Sequence, residues 1–325
     1  MVKVAMLSKW HVHASDYANQ VRANGAEIVV VWDEDTTRGA AWAADLGVEF
    51  EPCLDKVLAR ADVDAVVCDA PTSMHKEVIL PAVLAGKHVY TEKTLAATKA
   101  DALEIKKAVE DKKIKFTISF PQRTSSTVVY AKQVIESGVL GQVNTVRLRN
   151  AHNGASGDWL PAYWYLEKDA CGGAMMDLGC HPMYIASYLL GDPARITSIY
   201  NTITNREVED NAINLIEFKN KAIAIVETSF VTPDSPWMFE IYGTKGNFFA
   251  NDHKVKIKTP DTKKLNNEYV EVKNLPKALP SPMKSWLDAI ENDTDVIFGI
   301  DDAVALSELL EGAYISHKGN TIHCF

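Results

Sequence analysis

Several features that would assign a function class at once are missing from this sequence. In 325 residues, no apolar run approaches the roughly 20 residues that cross a bilayer. The N-terminus passes from Met1 directly into a strand-like run, without the apolar segment and cleavage site typical of a signal peptide. The sequence has no internal repeat and no low-complexity tract. These absences predict a folded cytoplasmic protein that does not act on a membrane.

Cysteine and positive charge are also in short supply. The five cysteines form no Cys-x-x-Cys pair, and reduced thiols of this kind fit a cytoplasmic protein. The 34 lysines and arginines are outnumbered by 43 acids, and the resulting net charge of −9 argues against a nucleic-acid partner. The apolar share of 47% is ordinary for a globular protein, and the length suits two domains.

In the first part of the chain, β-branched runs alternate with helical patterns. The predicted strands are 3–7, 27–32, 65–68, 88–91 and 115–119. Several of the intervening helices end at a glycine, as at Gly47 and Gly86, where a left-handed cap is expected. Strands and helices that alternate with short links predict a doubly wound parallel sheet of the Rossmann type over residues 1–122.

The second part of the chain has a different pattern. Runs of alternating apolar and polar residues cover 143–150, 196–203, 212–218, 222–230, 237–242, 254–258 and 269–273. This pattern is typical of strands with one packed and one exposed face. We therefore predict an α+β domain over 123–325 with a large, mostly antiparallel open sheet. A final helix at about 301–317 is free to pack back on the first domain.

An acid directly follows the second predicted strand. In doubly wound dinucleotide folds, an acid at this place binds the adenine ribose hydroxyls. Asp33 occupies it, and its charge repels a 2′-phosphate, which favours NAD over NADP. We interpret Arg38, a few residues later, as an exposed helix arginine.

The glycine fingerprint G-x-G-x-x-G is absent from the first strand–helix turn. The chain has Ser8-Lys9-Trp10-His11-Val12-His13 there, with Trp10 where a glycine normally lets the backbone approach the phosphates. Backbone N–H groups at the start of the next helix still offer an anion site. We expect the cofactor phosphates to meet Ser8, Trp10, His11 and Val12, the two histidines of the turn contributing through their backbone.

An acid and an imidazole lie close together in the segment 172–184, which reads Gly-Gly-Ala-Met-Met-Asp-Leu-Gly-Cys-His-Pro-Met-Tyr. If the segment is helical, Asp177 and His181 lie one turn apart on the same face. A carboxylate beside an imidazole makes a good base for a hydroxyl proton. Pro182 predicts that a helix begins at His181 or bends there. The alternative is a capping acid and a packed histidine.

Several motifs together resemble the Gfo/Idh/MocA family, the relatives of glucose–fructose oxidoreductase and inositol dehydrogenase. Glu92-Lys93 directly follows the predicted strand 88–91, and Asp177-x-x-x-His181 follows in the second half. The resemblance extends over nearly the whole chain through 70–75, 85–89, 172–181 and 301–314. It implies NAD(P)-linked oxidation or reduction at a sugar or polyol carbon, and homodimers or homotetramers formed through the C-terminal sheet.

Two positions depart from the pattern of that family besides the glycine turn. The family's Glu-Lys-Pro is Glu92-Lys93-Thr94 here, and we expect the bond before Thr94 to be trans, because a cis bond before a non-proline costs about 2.5–4 kcal/mol. Tyr184 stands where many members carry an acid, three residues after the histidine. The first departure concerns cofactor geometry and the second concerns substrate choice.

The resemblance implies roles for individual residues. Lys93, at the carboxyl end of a parallel strand, is expected to hold the reacting hydroxyl. His181 is the expected general base, and Asp177 orients it. Predicted cofactor contacts beyond the first turn and Asp33 are Pro71, Thr72, His75, Glu92, Lys93 and Gln122. Predicted substrate contacts are Lys93, Arg123, Trp159, Trp164, Asp177 and His181; for the tryptophans ordinary packing is as good an interpretation.

Three hypotheses about function stay open at this point. The first is an NAD-dependent dehydrogenase or reductase of a sugar or polyol. The second is a redox-neutral elimination or glycoside hydrolysis that uses the same residues and a transiently reduced NAD. The third is a non-enzymatic regulator that senses NAD or a sugar. We predict no metal, because Cys171, Cys180, His152 and His181 match no common zinc spacing.

Overall fold

A computed structural model describes residues 1–251, 254–265 and 268–325 of the protein. Within them, the β-strands are β1 Lys3–Leu7, β2 Glu27–Trp32, β3 Glu49–Phe50, β4 Ala65–Cys68, β5 His88–Thr91, β6 Phe116–Ile118, β7 Val143–Ala151, β8 Pro193–Asn201, β9 Asn211–Phe218, β10 Ile223–Ser229, β11 Met238–Gly243, β12 Asn247–Asn251, β13 Val255–Lys258, β14 Val270–Glu271 and β15 His323–Cys324. The α-helices are α1 Ala14–Ala23, α2 Thr36–Leu46, α3 Leu54–Ala59, α4 His75–Leu84, α5 Lys99–Lys112, α6 Ser126–Glu136, α7 Glu167–Ala170, α8 Cys180–Leu190, α9 Pro260–Leu265, α10 Pro282–Asn292 and α11 Ile300–Gly319.

The chain forms two compact units, and neither is a single continuous segment. The first unit comprises Met1–Phe120 and Pro280–Ser307, and the second comprises Pro121–Leu279 and Glu308–Phe325. None of the helices in the described residues combines the length and the apolar character that a bilayer crossing requires.

The first unit contains a six-stranded parallel sheet. Its strand order is β3-β2-β1-β4-β5-β6, and every neighbouring pair is parallel. This is the doubly wound order, in which ligands bind beyond the carboxyl ends of the strands where the order reverses. The predicted Rossmann sheet is confirmed.

Local sequence explains the helices and the core of this unit. Asp35 caps α2 by accepting the backbone N–H groups of Thr37 and Arg38, and the helix ends at Gly47 with φ 70°. The helix α10 packs in the core of this unit through the fully buried Trp286. The indole N–H of Trp286 donates to the carbonyl of Lys115 over 3.1 Å.

The second unit contains a nine-stranded sheet with the order β14-β13-β12-β11-β7-β10-β9-β8-β15. Strands β7 and β10 are parallel, and the other neighbouring pairs are antiparallel, so the predicted mostly antiparallel sheet is confirmed. In β9, Ile216 is buried whereas Ile213 and Leu215 are 44% and 49% exposed. One face of the sheet therefore packs inward, and the other faces solvent.

The differences from the predicted elements are local. The strands β3, β12 and β15 were not predicted, because β3 and β15 have two residues each and β12 carries asparagine at both ends. The segment 172–184 was considered only conditionally as a helix, and it contains a π-helix, Met175–Gly179, and the start of α8.

Candidate active site

The loop after β1 reproduces a glycine-type turn without glycine. Ser8 has φ 74°, in the left-handed region that glycine adopts most easily. Its N–H donates to the carbonyl of Trp32 over 2.7 Å, and its hydroxyl accepts the N–H of Trp10 over 3.1 Å. Trp10 is buried and Val12 is exposed, while the N–H of His11 donates to the carbonyl of Asp69 over 3.1 Å. The loop is therefore fixed between the ends of β1, β2 and β4.

Asp33, the acid after β2, is buried, and both of its carboxylate oxygens accept hydrogen bonds. The carboxylate of Asp33 accepts the backbone N–H groups of Lys9 and Asp35, each over 2.8 Å. Arg38 forms two further bonds with it, from Nη2 over 2.6 Å and from Nε over 3.0 Å. Arg38 was expected to be an exposed helix arginine, but its side chain is 25% exposed and also binds Glu34. Burial alone would lower the pKa of Arg38, and the hydrogen bonds and charges of Asp33 and Glu34 raise it instead.

The carboxylate of Glu92 is the centre of a buried polar cluster at the end of β5. Its Oε1 lies 3.4 Å from the Lys93 ammonium, and both side chains are almost fully buried. Its Oε2 accepts the phenol of Tyr17 and lies 3.3 Å from His13 Nδ1 and 3.8 Å from His11 Nδ1. Burial alone would raise the pKa of Glu92, but the charges of His11, Lys93 and His13 hold it well below its usual range.

Sequence reasoning found only part of this cluster. Glu92, Lys93 and His11 were predicted site residues, whereas Tyr17 was not, and the two histidines were expected to act through their backbone. The available signal was the His-x-His spacing in the turn after the first strand. It was passed over because its partner, Glu92, is 79 residues from His13 in sequence.

The segment after Lys93 is held by His75. The bond between Lys93 and Thr94 is cis, so the trans bond expected from the cost in an isolated peptide is wrong for this buried segment. His75 Nδ1 lies 2.8 Å from the Thr94 carbonyl oxygen, and its Nε2 lies 3.0 Å from the Ala70 carbonyl oxygen. Burial lowers the pKa of His75 in spite of these carbonyl groups. The ring thus links the chain after β4, where Pro71 and Thr72 begin a 3-10 turn, to the segment after Lys93.

In the second unit, Asp177 and His181 lie on different kinds of helix. Asp177 is in the π-helix Met175–Gly179, and His181 is the second residue of α8. The helix begins at Cys180 rather than at His181, with Pro182 in its first turn, where proline is tolerated. Because a π-helix is hydrogen-bonded from i to i+5, the placement of the acid relative to the imidazole differs in detail from that in a regular α-helix.

The His181 imidazole contacts a phenol. Its Nδ1 lies 2.9 Å from the hydroxyl oxygen of Tyr184, and both residues are buried. The same oxygen accepts the backbone N–H of Gln122 over 3.1 Å. The departure at residue 184 therefore places a neutral hydroxyl directly beside the predicted base, where an acid was expected from the family pattern.

The Gly172-Gly173 pair is explained by another carboxylate, that of the half-buried Glu209. Glu209 accepts the N–H of Gly173 over 3.0 Å, the N–H of Met175 over 2.9 Å and the hydroxyl of Tyr314 over 2.7 Å. A Cβ at Gly173 would lie 1.9 Å from the Glu209 carbonyl oxygen, and one at Gly172 would lie 2.1 Å from the Tyr314 hydroxyl. Burial raises the pKa of Glu209. Close backbone approach at this point therefore requires glycine and leads directly into the π-helix.

The remaining predicted substrate contacts differ in exposure. Trp164 is buried, whereas Trp159 is 55% exposed, and its ring lies 4.7 Å from that of His152. The Arg123 guanidinium lies 4.1 Å from the centre of the Tyr188 ring. Gln122 lines a cavity of about 360 Å³ together with Trp237.

The first unit fits an NAD-type dinucleotide. The left-handed Ser8 provides the tight turn, α1 begins just beyond it, and a buried acid ends β2. These are the three elements that receive the pyrophosphate and the adenine ribose in doubly wound folds. The loop Ser8–Val12 would hold the phosphates and Asp33 would hold the ribose.

Family models match both halves of the chain. The model described as "Oxidoreductase family, NAD-binding Rossmann fold" matches residues 9–120. The model described as "GFO/IDH/MocA C-terminal domain" matches residues 128–249.

Individual relatives are similar over most of the chain. The 1,5-anhydro-D-fructose reductase of Ensifer adhaerens is 28% identical over 240 residues, which are 71% of this chain and 70% of the relative. The inositol 2-dehydrogenase of Rhizobium meliloti is 24% identical over 310 residues, which are 91% of each chain. The solved structure of a levoglucosan dehydrogenase in complex with NADH and levoglucosan shares the fold, with a TM-score of 0.88 and 20% identity over 99% of both chains.

We expect Gly173→Ala to destabilise the protein. The new methyl group would meet the Glu209 carbonyl at 1.9 Å, so backbone must move, which typically costs about 1–3 kcal/mol. The free energy of unfolding in urea measures the effect. Gly299→Ala is the matched control, because its Cβ would lie 3.4 Å from its nearest neighbour, Val296. Equal stability of the two variants would contradict the role given to the glycine pair.

Proposed function

Because the chain belongs to the Gfo/Idh/MocA family of NAD-binding oxidoreductases, we propose that it transfers a hydride between NAD and a hydroxyl- or keto-bearing carbon of a sugar, polyol or sugar derivative. The observation that carries the proposal is the buried Glu92–Lys93 pair at the carboxyl end of β5. Ligands of doubly wound sheets bind at this end of the strands. Relatives named as an anhydrofructose reductase and an inositol dehydrogenase support the substrate class.

In this proposal Lys93 binds the reacting oxygen. Lys93 is 4% exposed and its ammonium lies against Glu92, so the ammonium is held in one place and in a largely water-free environment. A fixed cation in such surroundings stabilises negative charge that develops on a carbonyl or alkoxide oxygen more strongly than one in water. Bound NAD supplies the nicotinamide carbon that accepts or gives the hydride.

We assign proton transfer to His181. An imidazole removes a hydroxyl proton near neutral pH and returns it in the reverse reaction. Tyr184 positions this ring through the contact with Nδ1, and the Gln122 N–H holds the phenol in turn. Asp177, on the preceding π-helix, is proposed to orient the ring and to share the charge of the imidazolium.

We further propose that NAD is preferred to NADP. Asp33 presents a buried carboxylate at the ribose position, and a 2′-phosphate there would face two negative charges, Asp33 and Glu34. Arg38 neutralises part of this charge, and it is the group that would favour a 2′-phosphate. The preference therefore depends on the pair that Arg38 forms with Asp33.

We propose a homodimer or homotetramer formed through the exposed face of the second sheet. Ile199 is 71% exposed and lies directly opposite Ile213 of the neighbouring strand, and Leu215 and Ile223 on β9 and β10 are also exposed. A row of aliphatic side chains across three strands is typical of a surface that another subunit covers. A second copy of the chain presents the same row and the same flat face.

We propose that the protein is cytoplasmic. All five cysteines lie in the described part of the chain, and none of them is in a disulfide. Reduced cysteines are the usual state in the cytoplasm.

Cofactor choice is tested by titration with NADH and NADPH, followed by nicotinamide fluorescence. We expect NADH to bind at least about tenfold more tightly, a difference of about 1.4 kcal/mol. Asp33→Asn should weaken NADH binding, and Arg38→Ala should weaken NADPH binding. Asp45→Asn, the same chemical change at an exposed position of α2, is the control and should change neither. NADPH binding as tight as that of NADH would overturn the preference.

The proton-transfer role is tested with His181→Ala and Tyr184→Phe, using myo-inositol and other polyols with NAD. We expect His181→Ala to lower kcat by about 10²–10⁴-fold, the usual contribution of a general base, and to leave NADH binding unchanged. Tyr184→Phe should shift the pH profile of kcat without abolishing turnover. His323→Ala, in the edge strand β15, is the control. Turnover by His181→Ala at the wild-type rate would remove His181 from the mechanism.

The oligomer is tested by sedimentation or light scattering at micromolar concentration. We expect the wild-type chain to form a dimer or tetramer, and Ile199→Glu to dissociate it, because the new charge would be buried without a partner. Ile203→Glu is the matched control, since Ile203 is 61% exposed but lies outside the strands. A monomeric wild-type protein would contradict the proposed interface.

A further inference from the structure

Two imidazoles and a carboxylate converge in the first unit. In the described residues, His11, His13 and Glu92 form the group of three potential metal ligands, and their ligand atoms all lie within 4.8 Å of one another. The cysteines and histidines weighed from the sequence, at 152, 171, 180 and 181, are not part of it. The convergence depends on the parallel pairing of β1, β4 and β5, which brings the turn after β1 next to the end of β5.

The distances are close to those around a tetrahedral zinc ion. Zinc–nitrogen and zinc–oxygen bonds of about 2.0–2.2 Å place neighbouring ligand atoms roughly 3.3–3.6 Å apart. His13 Nδ1 lies 3.3 Å from Glu92 Oε2, and His11 Nδ1 lies 3.8 Å from the same oxygen. Small side-chain rotations would bring all three to bonding distance. His11 would ligate either through Nδ1, which now accepts the His13 N–H over 3.2 Å, or through Nε2.

The groups around these ligands suit a cation. Tyr17 donates to Glu92 Oε2 and lies 2.7 Å from Ser119 Oγ, so the carboxylate is oriented by an outer hydrogen bond, as metal-ligating carboxylates are. Lys93 contacts the other oxygen, Oε1, and leaves the Oε2 side to the histidines.

A second buried acid adjoins the cluster and supports the same conclusion. Asp69 is 0% exposed, and neither of its carboxylate oxygens accepts a hydrogen bond from the described residues. The backbone carbonyl of Asp69 accepts the N–H of His11, so Asp69 lies beside the first proposed ligand. Two buried carboxylates in one place are costly without a compensating positive charge.

We propose that His11, His13 and Glu92 form a binding site for a divalent transition metal of the zinc type. Two imidazoles and one carboxylate are a known zinc donor set, which leaves a fourth position for water or another ligand. Tyr17 orients Glu92. The site shares Glu92 and the turn after β1 with the proposed cofactor site, and for this reason metal binding is measured without nucleotide.

The test uses the full chain, freed of any affinity tag, treated with a chelator and kept without nucleotide. Co²⁺ is titrated and followed by its visible absorption, and Zn²⁺ binding is measured by calorimetry and by displacement of Co²⁺. We expect one equivalent to bind with an absorption spectrum of four-coordinate Co²⁺. His13→Ala should weaken binding at least about tenfold, since loss of an outer-shell partner alone costs 10–100-fold.

Two further variants and a check of folding make the result specific. His13 is 41% exposed, so its replacement does not disturb the core, and circular dichroism confirms folding. Tyr17→Phe keeps all three ligands and should still weaken binding, by about tenfold. His88→Ala, at the opposite end of β5 from Glu92, should bind as the wild type does. No saturable binding of Co²⁺ or Zn²⁺, or unchanged affinity in His13→Ala, would overturn the proposal.

Discussion

The buried carboxylate of Glu92 constrains the part of the first unit where chemistry is expected. One oxygen faces the Lys93 ammonium, and the other faces Tyr17 and the two histidines of the turn after β1. A buried charge costs several kcal/mol unless its partners compensate for it. Because the same carboxylate serves groups from the β1 turn, α1 and the end of β5, a change in any one of them alters the surroundings of Lys93.

The second unit also contains a carboxylate that several donors share, that of Glu209. Glu209 is half-buried and accepts two backbone N–H groups at the start of the segment that carries Asp177. Tyr314 adds a third bond from α11. These hydrogen bonds hold the start of the π-helix in place, so the π-helix is an anchored element and not a frayed N-terminus of α8. A π-turn is often found at functional sites, and here it sets where the acid lies relative to the imidazole that follows.

Most of the fold was predictable because its signals are local. Strands β1, β2, β4 and β5 are short apolar runs between caps and turns, and alternation with helices determines a parallel sheet. The ends of those strands then indicated Asp33, Glu92 and Lys93 as site residues. The rest depends on backbone state and on distant partners. Ser8 adopts a glycine conformation without being glycine, and His13 meets Glu92 across 79 residues of sequence. The conformation of Ser8 leaves no local pattern, and the His-x-His spacing does not reveal that Glu92 is its partner.

One residue at a diagnostic position, Asp33, is not enough to predict the choice between NAD and NADP. Asp33 alone predicts NAD, but both of its oxygens are already bound, by Lys9 N–H, by Asp35 N–H and by Arg38. A ribose that binds Asp33 must share or displace one of these donors, and Arg38 is the one that is able to turn away, because it is a side chain. A 2′-phosphate would compete with Asp33 for the same guanidinium. In the proposed mode of binding, selectivity is therefore a property of the Asp33–Arg38 pair, and the free energy that holds this pair together is the quantity that either nucleotide has to offset.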